Sequence, residues 1–394
     1  MSGPSTVAPS RLQGGTVSVI VPCRNERDHI EAFCASVAAQ QVPEGWTLEV
    51  LIADGQSDDG TRERLAAFCQ RDPRFVMIDN PGRIVSCGLN RCIDRAQGRF
   101  IVRLDVHTVY AGDYIARCLD TWHATGADNV GGPWRAEGAA GPEGRVQRAI
   151  AAAFQSRWVA GGARSRDLGY EGPVDTVYLG AWPRDTFERF GGFDEALVRN
   201  QDDEHNLRIH KGGGRVWQSS TIRSTYHPRA QVSDVFRQYR QYGYWKPFVM
   251  RKHGQAASLR HLVPGLFVGV WLVLAFLMMA SMLWVASPWV PSTPPVMGAA
   301  GGKVCHGPWL GWIFAGLSAG LFVGLNLLYV AAVLVMSGLI ATQQGRELWP
   351  YLPRVIAAYH LGYGLGSLRG WWDVILKGRP DPAFDKLTRG PSRR

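Results

Sequence analysis

The chain has only seven cysteines among 394 residues, and none of them forms a CxxC pair. The cysteines make no even framework, which argues against a scaffold held by disulfides. Six of them lie in the first third of the chain, where we expect reduced packing residues: Cys23, Cys34, Cys69, Cys87, Cys92 and Cys118.

Two nucleotide-binding motifs are missing as well. No GxGxxG follows the first predicted strand and no P-loop occurs, which argues against a dinucleotide-binding domain and a P-loop enzyme. The formal charge is +10 and the pI about 9.4, so the chain should favour acidic surfaces or phosphates. Because no RNA- or DNA-binding motif accompanies this charge, we expect no nucleic-acid partner. Residues 1–16 are rich in Gly, Ser and Pro and lack the apolar run of a signal peptide.

Charge is nearly absent from one long stretch. Between Arg260 and Arg346, Lys303 is the only Lys, Arg, Asp or Glu. The apolar runs at 263–286 and 309–340 are long enough to cross a bilayer. Basic residues flank both runs, so the positive-inside rule puts both flanks in the cytosol and predicts two spans. They are Arg251, Lys252 and Arg260 before the first run, and Lys377, Arg379, Lys386, Arg389, Arg393 and Arg394 at the end.

The weakly apolar stretch at 351–376 is broken by Gly, His and Arg. We expect it to lie along the membrane interface or to re-enter the membrane, and a third span is the alternative. The predicted organisation is a flexible N-terminus at 1–15, a catalytic domain at 16–250, a membrane region at 251–376 and a basic cytosolic tail at 377–394.

The first third alternates β-branched runs with helical patterns, which is typical of a mostly parallel α/β sheet. Strands are predicted at 16–21, 48–53, 75–78 and 100–104, and helices at 30–40, 61–70 and 84–96. Acidic residues follow three of these strands, at Glu26, Asp54 and Asp105. Ligands of such sheets bind beyond the carboxyl ends of the strands. Asp105 and His107, two residues apart, could together hold one divalent cation there.

Several motifs resemble those of the family 2 glycosyltransferases with the A-type (GT-A) fold. They are VSVIVPCRNE at 17–26, ADGQSDDGT at 53–61, RLDVH at 103–107, GGFDE at 191–195 and NQDDEHNLR at 200–208. The pieces QDDEHNLRIHKGGGRVW and QYRQYGYWK resemble most the exopolysaccharide glucosyltransferases of the succinoglycan type. The resemblance implies a GT-A fold, a mostly parallel Rossmann-like sheet flanked by helices, followed by C-terminal transmembrane helices.

The resemblance also implies a set of donor-binding residues. Asp54 would accept a hydrogen bond from the uracil imide, and Asp105 would bind the Mn²⁺ or Mg²⁺ that bridges the diphosphate. His107 replaces the second Asp of the family's DxD motif, which leaves the metal preference open, and His227 is a candidate third ligand. The donor-binding set is Pro22, Arg24, Asn25, Glu26, Asp54, Arg83, Asn90 and Asp105.

By the same resemblance Asp202 is the catalytic base. One carboxylate must take the proton of the attacking sugar hydroxyl on the face opposite the leaving UDP, which inverts the anomeric centre. Gln201 stands where the family has a Glu, so the pKa of Asp202 is expected to be lower than in relatives. Asp203 is expected to be an acid at a helix N-terminus.

The acceptor side is less closely defined. Glu204 is a candidate for holding the acceptor, and Arg240, Trp245 and Lys246 for the acceptor or diphosphate. The segment at 241–245 has the pattern QxxYW, without the Arg of the QxxRW motif of processive synthases, which argues against processivity. The basic loop at 160–172 is predicted to be either a mobile lid or disordered.

The predicted function is an inverting hexosyltransferase of the bacterial inner membrane with its catalytic domain in the cytosol. It would move a hexose, with glucose favoured, from a UDP-sugar to a polyprenyl-diphosphate-linked oligosaccharide in exopolysaccharide assembly. Other polysaccharide-assembly proteins are candidate partners. The alternatives are a polyprenyl-phosphate glycosyltransferase and a non-catalytic membrane scaffold that retains the fold.

Overall fold

The structure is a computed structural model that describes residues 14–159, 161–255, 258–287 and 309–384. Strands and helices alternate over the first third of the chain, as predicted. The strands are rich in buried β-branched residues, and the helices between them carry their apolar side chains on one face. The elements are β1 (Gly15–Cys23), α1 (Ile30–Ala38), β2 (Trp46–Asp54), α2 (Thr61–Arg71), β3 (Phe75–Asp79), α3 (Val85–Arg95), β4 (Phe100–Arg103), β5 (Thr108–Tyr110) and α4 (Tyr114–Thr125).

The rest of the chain adds short strands and then only helices. The helix predicted at 238–246 is part of a longer helix, α8. The elements are β6 (Asn129–Gly132), α5 (Arg145–Gln155), β7 (Gly172–Pro173), β8 (Tyr178–Pro183), α6 (Asp185–Phe190), α7 (Gln201–Lys211), β9 (Val216–Gln218), β10 (Ser224–Tyr226), α8 (Val232–His253), α9 (Val263–Val285), α10 (Trp309–Gln344) and α11 (Leu352–Trp372).

Eight strands form one sheet in the order β3-β2-β1-β4-β8-β6-β9-β7, and β5 pairs with β10 in a second, two-stranded sheet. Strands β1 to β4 are parallel, whereas β8 runs antiparallel to both of its neighbours. Cys23 is level with Asp54, and Ile20 with Arg103. The carboxyl ends of β1, β2 and β4 therefore meet at one edge, as the predicted mostly parallel sheet requires.

Both faces of the large sheet are covered. On one face Val17, Val19 and Val21 are fully buried in a cluster with α1 and α4, and on the other Ile20 packs with residues of α3 and β8. The six cysteines of the first third are free thiols, four of them buried, which confirms the prediction of reduced packing residues.

Two helices are long and apolar enough to cross a membrane. The two candidate spans are Leu259–Val285 and Gly311–Gln344. Only 6% of the most apolar stretch of each is buried inside the protein. Large apolar side chains such as Leu266, Phe276 and Leu328 are more than 60% exposed. The two predicted apolar runs are therefore helices of the expected length and composition.

Helix α11 covers most of the stretch that was predicted to lie along the interface or re-enter the membrane. It packs lengthwise against α8, where the rings of Tyr239 and Tyr359 lie 4.3 Å apart between centroids. Further along, Phe384 stacks on Tyr244 with centroids 3.7 Å apart. The boundary predicted after residue 250 lies inside α8. Residues of α11 share a buried cluster with α5, and Phe384 shares one with Leu207 of α7. The described residues after 352 therefore share a core with the catalytic half. Residues 1–13 and 385–394, most of the predicted terminal segments, lie outside the described residues.

Candidate active site

One cavity of about 730 Å³ lies at the carboxyl edge of the sheet. Pro22 lines it at the end of β1, Arg24 and Glu26 just after β1, and Asp105 and His107 just after β4. The Asp105 backbone N–H donates to Tyr110 Oη at 2.7 Å, and that hydroxyl donates back to the Asp105 carbonyl at 3.1 Å. Because β5 follows at once, this pair of bonds holds the strand-end loop with its carboxylate toward the cavity.

Asp105 and His107 have the chemistry of a cation site with two protein ligands. The Nδ1 atom of His107 is buried without a hydrogen-bond partner in the described part of the chain, and it lies 3.7 Å from Glu26 Oε1. A cation held by one or two side chains takes its other ligands from phosphates and water. Within the described ranges, no three His, Cys, Asp or Glu side chains are close enough together to bind a metal.

His227 was predicted as a third ligand, but the structure does not bring it to the other two. It is exposed, its Nδ1 lies 3.1 Å from the Glu137 carbonyl oxygen, and it does not line the cavity. Tyr226 and Pro228, on either side of it, do line the cavity.

Asp54 is fully buried and does not line the cavity. Its Oδ2 accepts from Arg62 Nη1 at 2.6 Å and from the Ser57 backbone N–H at 3.1 Å, while Oδ1 accepts from Ser57 Oγ at 2.5 Å. Both carboxylate oxygens are thus already paired within the protein.

Asn25 and Asn90 stabilise loops rather than line the cavity. The Asn25 side chain donates to Asp58 Oδ1 at 2.9 Å, which joins the loops after β1 and β2. Asn90 donates to the Phe193 carbonyl and accepts from the Phe193 N–H, both at 2.8 Å, and so fixes the GGFDE segment on α3. Arg83 does line the cavity, with its Nε–H held by Gln56 Oε1 at 2.6 Å.

Asp202 lies in the first turn of α7 and lines the same cavity as Asp105. Asn200, just before the helix, donates to the Tyr242 carbonyl at 2.9 Å and ties this helix start to α8. Burial and the neighbouring Asp203 raise the pKa of Asp202 above its ordinary value, against the opposing charges of Arg103 and Lys246. A raised pKa makes the carboxylate a better proton acceptor. The expectation that it titrates lower than in relatives remains a prediction.

Asp203 and Lys246 form an ion pair in the wall of the cavity. Lys246 Nζ lies 2.5 Å from Asp203 Oδ2, and Lys246 is only 3% exposed. Burial alone would raise the pKa of Asp203, but Lys246, His261 and Arg260 together outweigh burial and keep that pKa below the ordinary value. Lys246, a predicted acceptor or diphosphate ligand, therefore lines the cavity with its charge already paired.

Three other residues predicted on the acceptor side do not line the cavity. Glu204 is fully buried and paired with Arg208 at 2.8 Å and Lys252 at 2.9 Å, which lower its pKa against the effect of burial. Trp245 is buried, and its indole N–H donates to the Phe384 carbonyl. The exposed Arg240 lies over the Phe384 ring. The period of α8 explains the positions of Trp245 and Arg240, because only one face of that helix can border the cavity.

The loop at 160–172 was predicted to be a mobile lid or disordered. Where the structure describes it, hydrogen bonds from neighbouring elements hold it in place. The side-chain amide of Gln218 donates to the carbonyls of Arg164, Asp167 and Tyr170. Within the loop, Ser165 is buried and its carbonyl accepts from Trp134 N–H at 3.0 Å.

Sequence reasoning missed two features of the cavity. The first is Arg103, the last residue of β4, which is buried in the wall beside Asp105. The available signal was the alternation of side chains along a strand, which puts Arg103 on the same face as Ile101. The second is an apolar arm of the cavity, lined by Phe267, Tyr329 and Met336 of α9 and α10. No local pattern indicates this arm, because it depends on how distant helices pack.

Comparison with known proteins places these features in a family. Residues 18–183 match the family described as Glycosyl transferase family 2. The succinoglycan biosynthesis protein ExoA of Rhizobium meliloti (strain 1021) is 33% identical over 257 residues, which is 62% of this chain and 73% of that protein. A dolichyl N-acetyl-alpha-D-glucosaminyl phosphate 3-beta-D-2,3-diacetamido-2,3-dideoxy-beta-D-glucuronosyltransferase of Methanococcus voltae is 25% identical over 245 residues, covering 60% of this chain and 74% of that protein.

A solved structure has the same fold. The mannosyltransferase PcManGT from Pyrobaculum calidifontis, in complex with GDP-Man and Mn²⁺, matches with a TM-score of 0.53 at 18% identity, over 94% of this chain and 91% of that one. The predicted GT-A fold is thereby confirmed. Together with the identity to ExoA over most of that protein's length, it shows that this chain is a glycosyltransferase and belongs to family 2.

Proposed function

We propose that this glycosyltransferase transfers a hexose, with glucose favoured, from a UDP-sugar to an oligosaccharide acceptor carried on polyprenyl diphosphate, in exopolysaccharide biosynthesis. The observation that carries the proposal is the single cavity that contains the strand-end residues, Asp202 and an apolar arm between α9 and α10. A nucleotide-sugar, a reacting hydroxyl and a lipid carrier each have matching chemistry in one continuous space.

The proposed reaction is a single displacement. Asp202 takes the proton of the acceptor hydroxyl, whose oxygen forms a bond to the anomeric carbon. The bond from that carbon to the diphosphate oxygen breaks, and UDP leaves with the bonding electron pair. The pKa of Asp202, raised by burial and by Asp203, suits a group that must accept a proton during bond formation.

The divalent cation belongs to the donor side of this reaction. Asp105 and His107 would hold it, and it would offset the charge that develops on the leaving diphosphate. The buried, unpartnered Nδ1 of His107 supports this assignment. An imidazole ligand favours Mn²⁺ more than a site of oxygen ligands does, and the PcManGT structure contains Mn²⁺.

The lipid-linked acceptor is supported by the apolar arm and by the chemistry around it. Cationic side chains line the same cavity, among them Arg166, Lys246 and Arg260, and they suit the phosphates of a carrier lipid. The name of the Methanococcus voltae relative describes a dolichyl phosphate-linked acceptor, and ExoA is named for succinoglycan biosynthesis.

We place the protein in the inner membrane with two crossings, by α9 and α10, and with the catalytic half in the cytosol. The exposed apolar surfaces of both helices support insertion, and the basic flanks support the orientation. A reporter fused after Arg394 should be active in the cytosol. A periplasmic signal from that fusion would contradict the two-span topology.

The test measures release of the nucleoside diphosphate by the purified full-length chain in detergent. The donors are a panel of UDP-sugars together with GDP-mannose. Each donor is measured with Mn²⁺, Mg²⁺ or EDTA, and with extracted polyprenyl-diphosphate oligosaccharide, polyprenyl phosphate or no lipid. We expect metal-dependent release from one UDP-sugar that rises with the diphosphate-linked lipid. A rise with polyprenyl phosphate alone would favour the alternative acceptor.

Two variants separate an enzyme from a scaffold. Asp202→Asn should lose transfer by roughly 10²–10⁴-fold while it still binds the donor. Asp234→Asn is the matched control, because its carboxylate forms only a surface pair with Arg237 on α8, and such pairs contribute little. Donor binding by the wild type without turnover in any lipid would overturn the proposed function.

A further inference from the structure

Arg103 ends β4 with its side chain inside the protein rather than in solvent. It is 6% exposed, and it lines the cavity two residues before Asp105. Ile101, on the same face of the strand, is fully buried against the apolar cluster under α3. The guanidinium is therefore the one polar group that this face of β4 contributes to the cavity wall.

Only one nitrogen of this guanidinium has partners. Nη2 lies 3.4 and 3.5 Å from the two carboxylate oxygens of Asp105. Nε and Nη1 are buried and have no hydrogen-bond partner among the described residues. Leaving a buried charged donor unpaired is costly, so nearly all such groups have a partner in the functional state.

The position of Arg103 indicates what that partner is. Asp105 belongs to the cation and diphosphate side, whereas Asp202 belongs to the acceptor side. Arg103 lines the same cavity as both of these carboxylates. A donor with its diphosphate near Asp105 and its anomeric carbon near Asp202 puts its hexose ring between the two.

We propose that Arg103 binds the transferred hexose, with its Nε–H and Nη1–H groups donating to hydroxyl oxygens of the sugar ring. This inference rests on the nucleotide-sugar donor proposed above. Hydroxyl oxygens accept from a planar guanidinium, and a buried donor rejects an analogue that lacks the matching acceptor far more strongly than an apolar pocket does. Arg103 thus adds a determinant of sugar choice that does not contact the nucleotide.

The experiment compares binding of UDP with binding of UDP-glucose, by calorimetry with Mn²⁺ present, in the wild type and in Arg103→Met. The variant should keep the UDP affinity within about twofold and lose tenfold or more in UDP-glucose affinity, because a lost hydrogen bond to a charged group costs that much. Retained UDP binding also shows that the variant is folded. Arg99→Met is the matched control, since Arg99 precedes the same strand and lies over Trp46 and Trp122 at its other end.

A series of UDP-glucose analogues, each lacking one ring hydroxyl, sharpens the test. In the wild type, removal of the hydroxyl that Arg103 binds should lower the affinity about tenfold, whereas in Arg103→Met the same removal should cost little. Equal losses of UDP and UDP-glucose affinity in the variant would overturn the inference and assign Arg103 to the diphosphate. If the wild type binds UDP but turns over no tested nucleotide-sugar in any lipid, the proposed function fails instead, independently of Arg103.

Discussion

Lys246 of α8 reaches across the cavity wall to Asp203 in the first turn of α7, with 2.5 Å between Nζ and Oδ2. Asp203 follows Asp202 in the sequence, and all three side chains line the cavity. Together with the Asn200 to Tyr242 hydrogen bond, the ion pair fixes the helix that carries the candidate base against the helix that borders the acceptor side.

The first prediction concerns this ion pair. Lys246→Met should lower the free energy of unfolding by roughly 1–3 kcal/mol, because it leaves the partly buried Asp203 carboxylate without its partner. Thermal unfolding in detergent measures the loss. The double variant Asp203→Asn with Lys246→Met should be more stable than the sum of the single losses predicts. Arg237→Met, on the exposed side of α8, is the control, and strictly additive losses would argue that the two side chains are not coupled.

The second prediction concerns the acid limb of the activity profile. Gln201→Glu adds a carboxylate beside Asp202, which disfavours the ionised base and raises its pKa. Since the base must be ionised to act, the acid limb of kcat/KM should move to higher pH. Gln201→Met, which adds no charge, should leave the limb where it is in the wild type. An unmoved limb in the Glu variant would count against Asp202 as the titrating base.

The third prediction concerns stability in acid. Burial lowers the pKa of His205 to about 4, whereas the unfolded residue titrates near 6.5. Between these values the unfolded state binds more protons, so stability should fall by up to ~3 kcal/mol as the pH drops from about 6.5 to 4. His205→Gln should flatten this part of the profile of unfolding against pH. The exposed His210 on the same helix supplies the control His210→Gln, and a wild type with constant stability over this range would refute the assignment.

The fourth prediction concerns the crossing of α8 and α11. A Cβ at Gly366 would overlap the Arg240 carbonyl oxygen, which is backbone and cannot move aside alone. Gly366→Ala should therefore separate the two helices and destabilise the protein by about 1–3 kcal/mol. Gly338→Ala in α10 has open space around the added atom and should leave the unfolding temperature unchanged or raise it slightly. Equal behaviour of the two variants would mean that the crossing contributes little.

The fifth prediction concerns the choice of cation. His107→Asp replaces a nitrogen ligand with oxygen, so the ratio of activity in Mg²⁺ to activity in Mn²⁺ should rise. Donor affinity measured with each ion provides a readout that is independent of turnover. His227→Asp, at a side chain outside the cavity, should leave the ratio unchanged. A change in the ratio with His227→Asp would restore that residue as a metal ligand.

Much of this arrangement could be predicted from the sequence because it depends on local pattern. The buried strands end at Cys23, Asp54 and Arg103, within a few residues of the predicted ends. Asp105 comes just after a parallel strand and Asp202 lies in the first turn of a helix, so the local pattern already places each carboxylate at one end of its element. Asp105 and Asp202 therefore meet in one cavity, although they are nearly a hundred residues apart.

The remaining residues depend on packing that no local pattern contains. Asp54 was expected to bind the base, yet it pairs with Arg62 in the first turn of α2. Asn90 was expected to face the donor, yet it holds the GGFDE segment more than a hundred residues later. In both cases the side chain is polar and well placed, and only the tertiary partner decides whether it meets a ligand or another part of the chain.

Helix α8 borders the catalytic cavity on one face and packs against α11 on another, and α11 in turn contacts the start of α9 near Gly265. With α9 and α10 in a bilayer as proposed, a change in bilayer thickness that tilts them would also shift the wall that bears Lys246. Lipid composition then becomes a variable of the transfer rate itself. Activities measured in micelles and in native lipid extracts should differ even when every soluble component is the same.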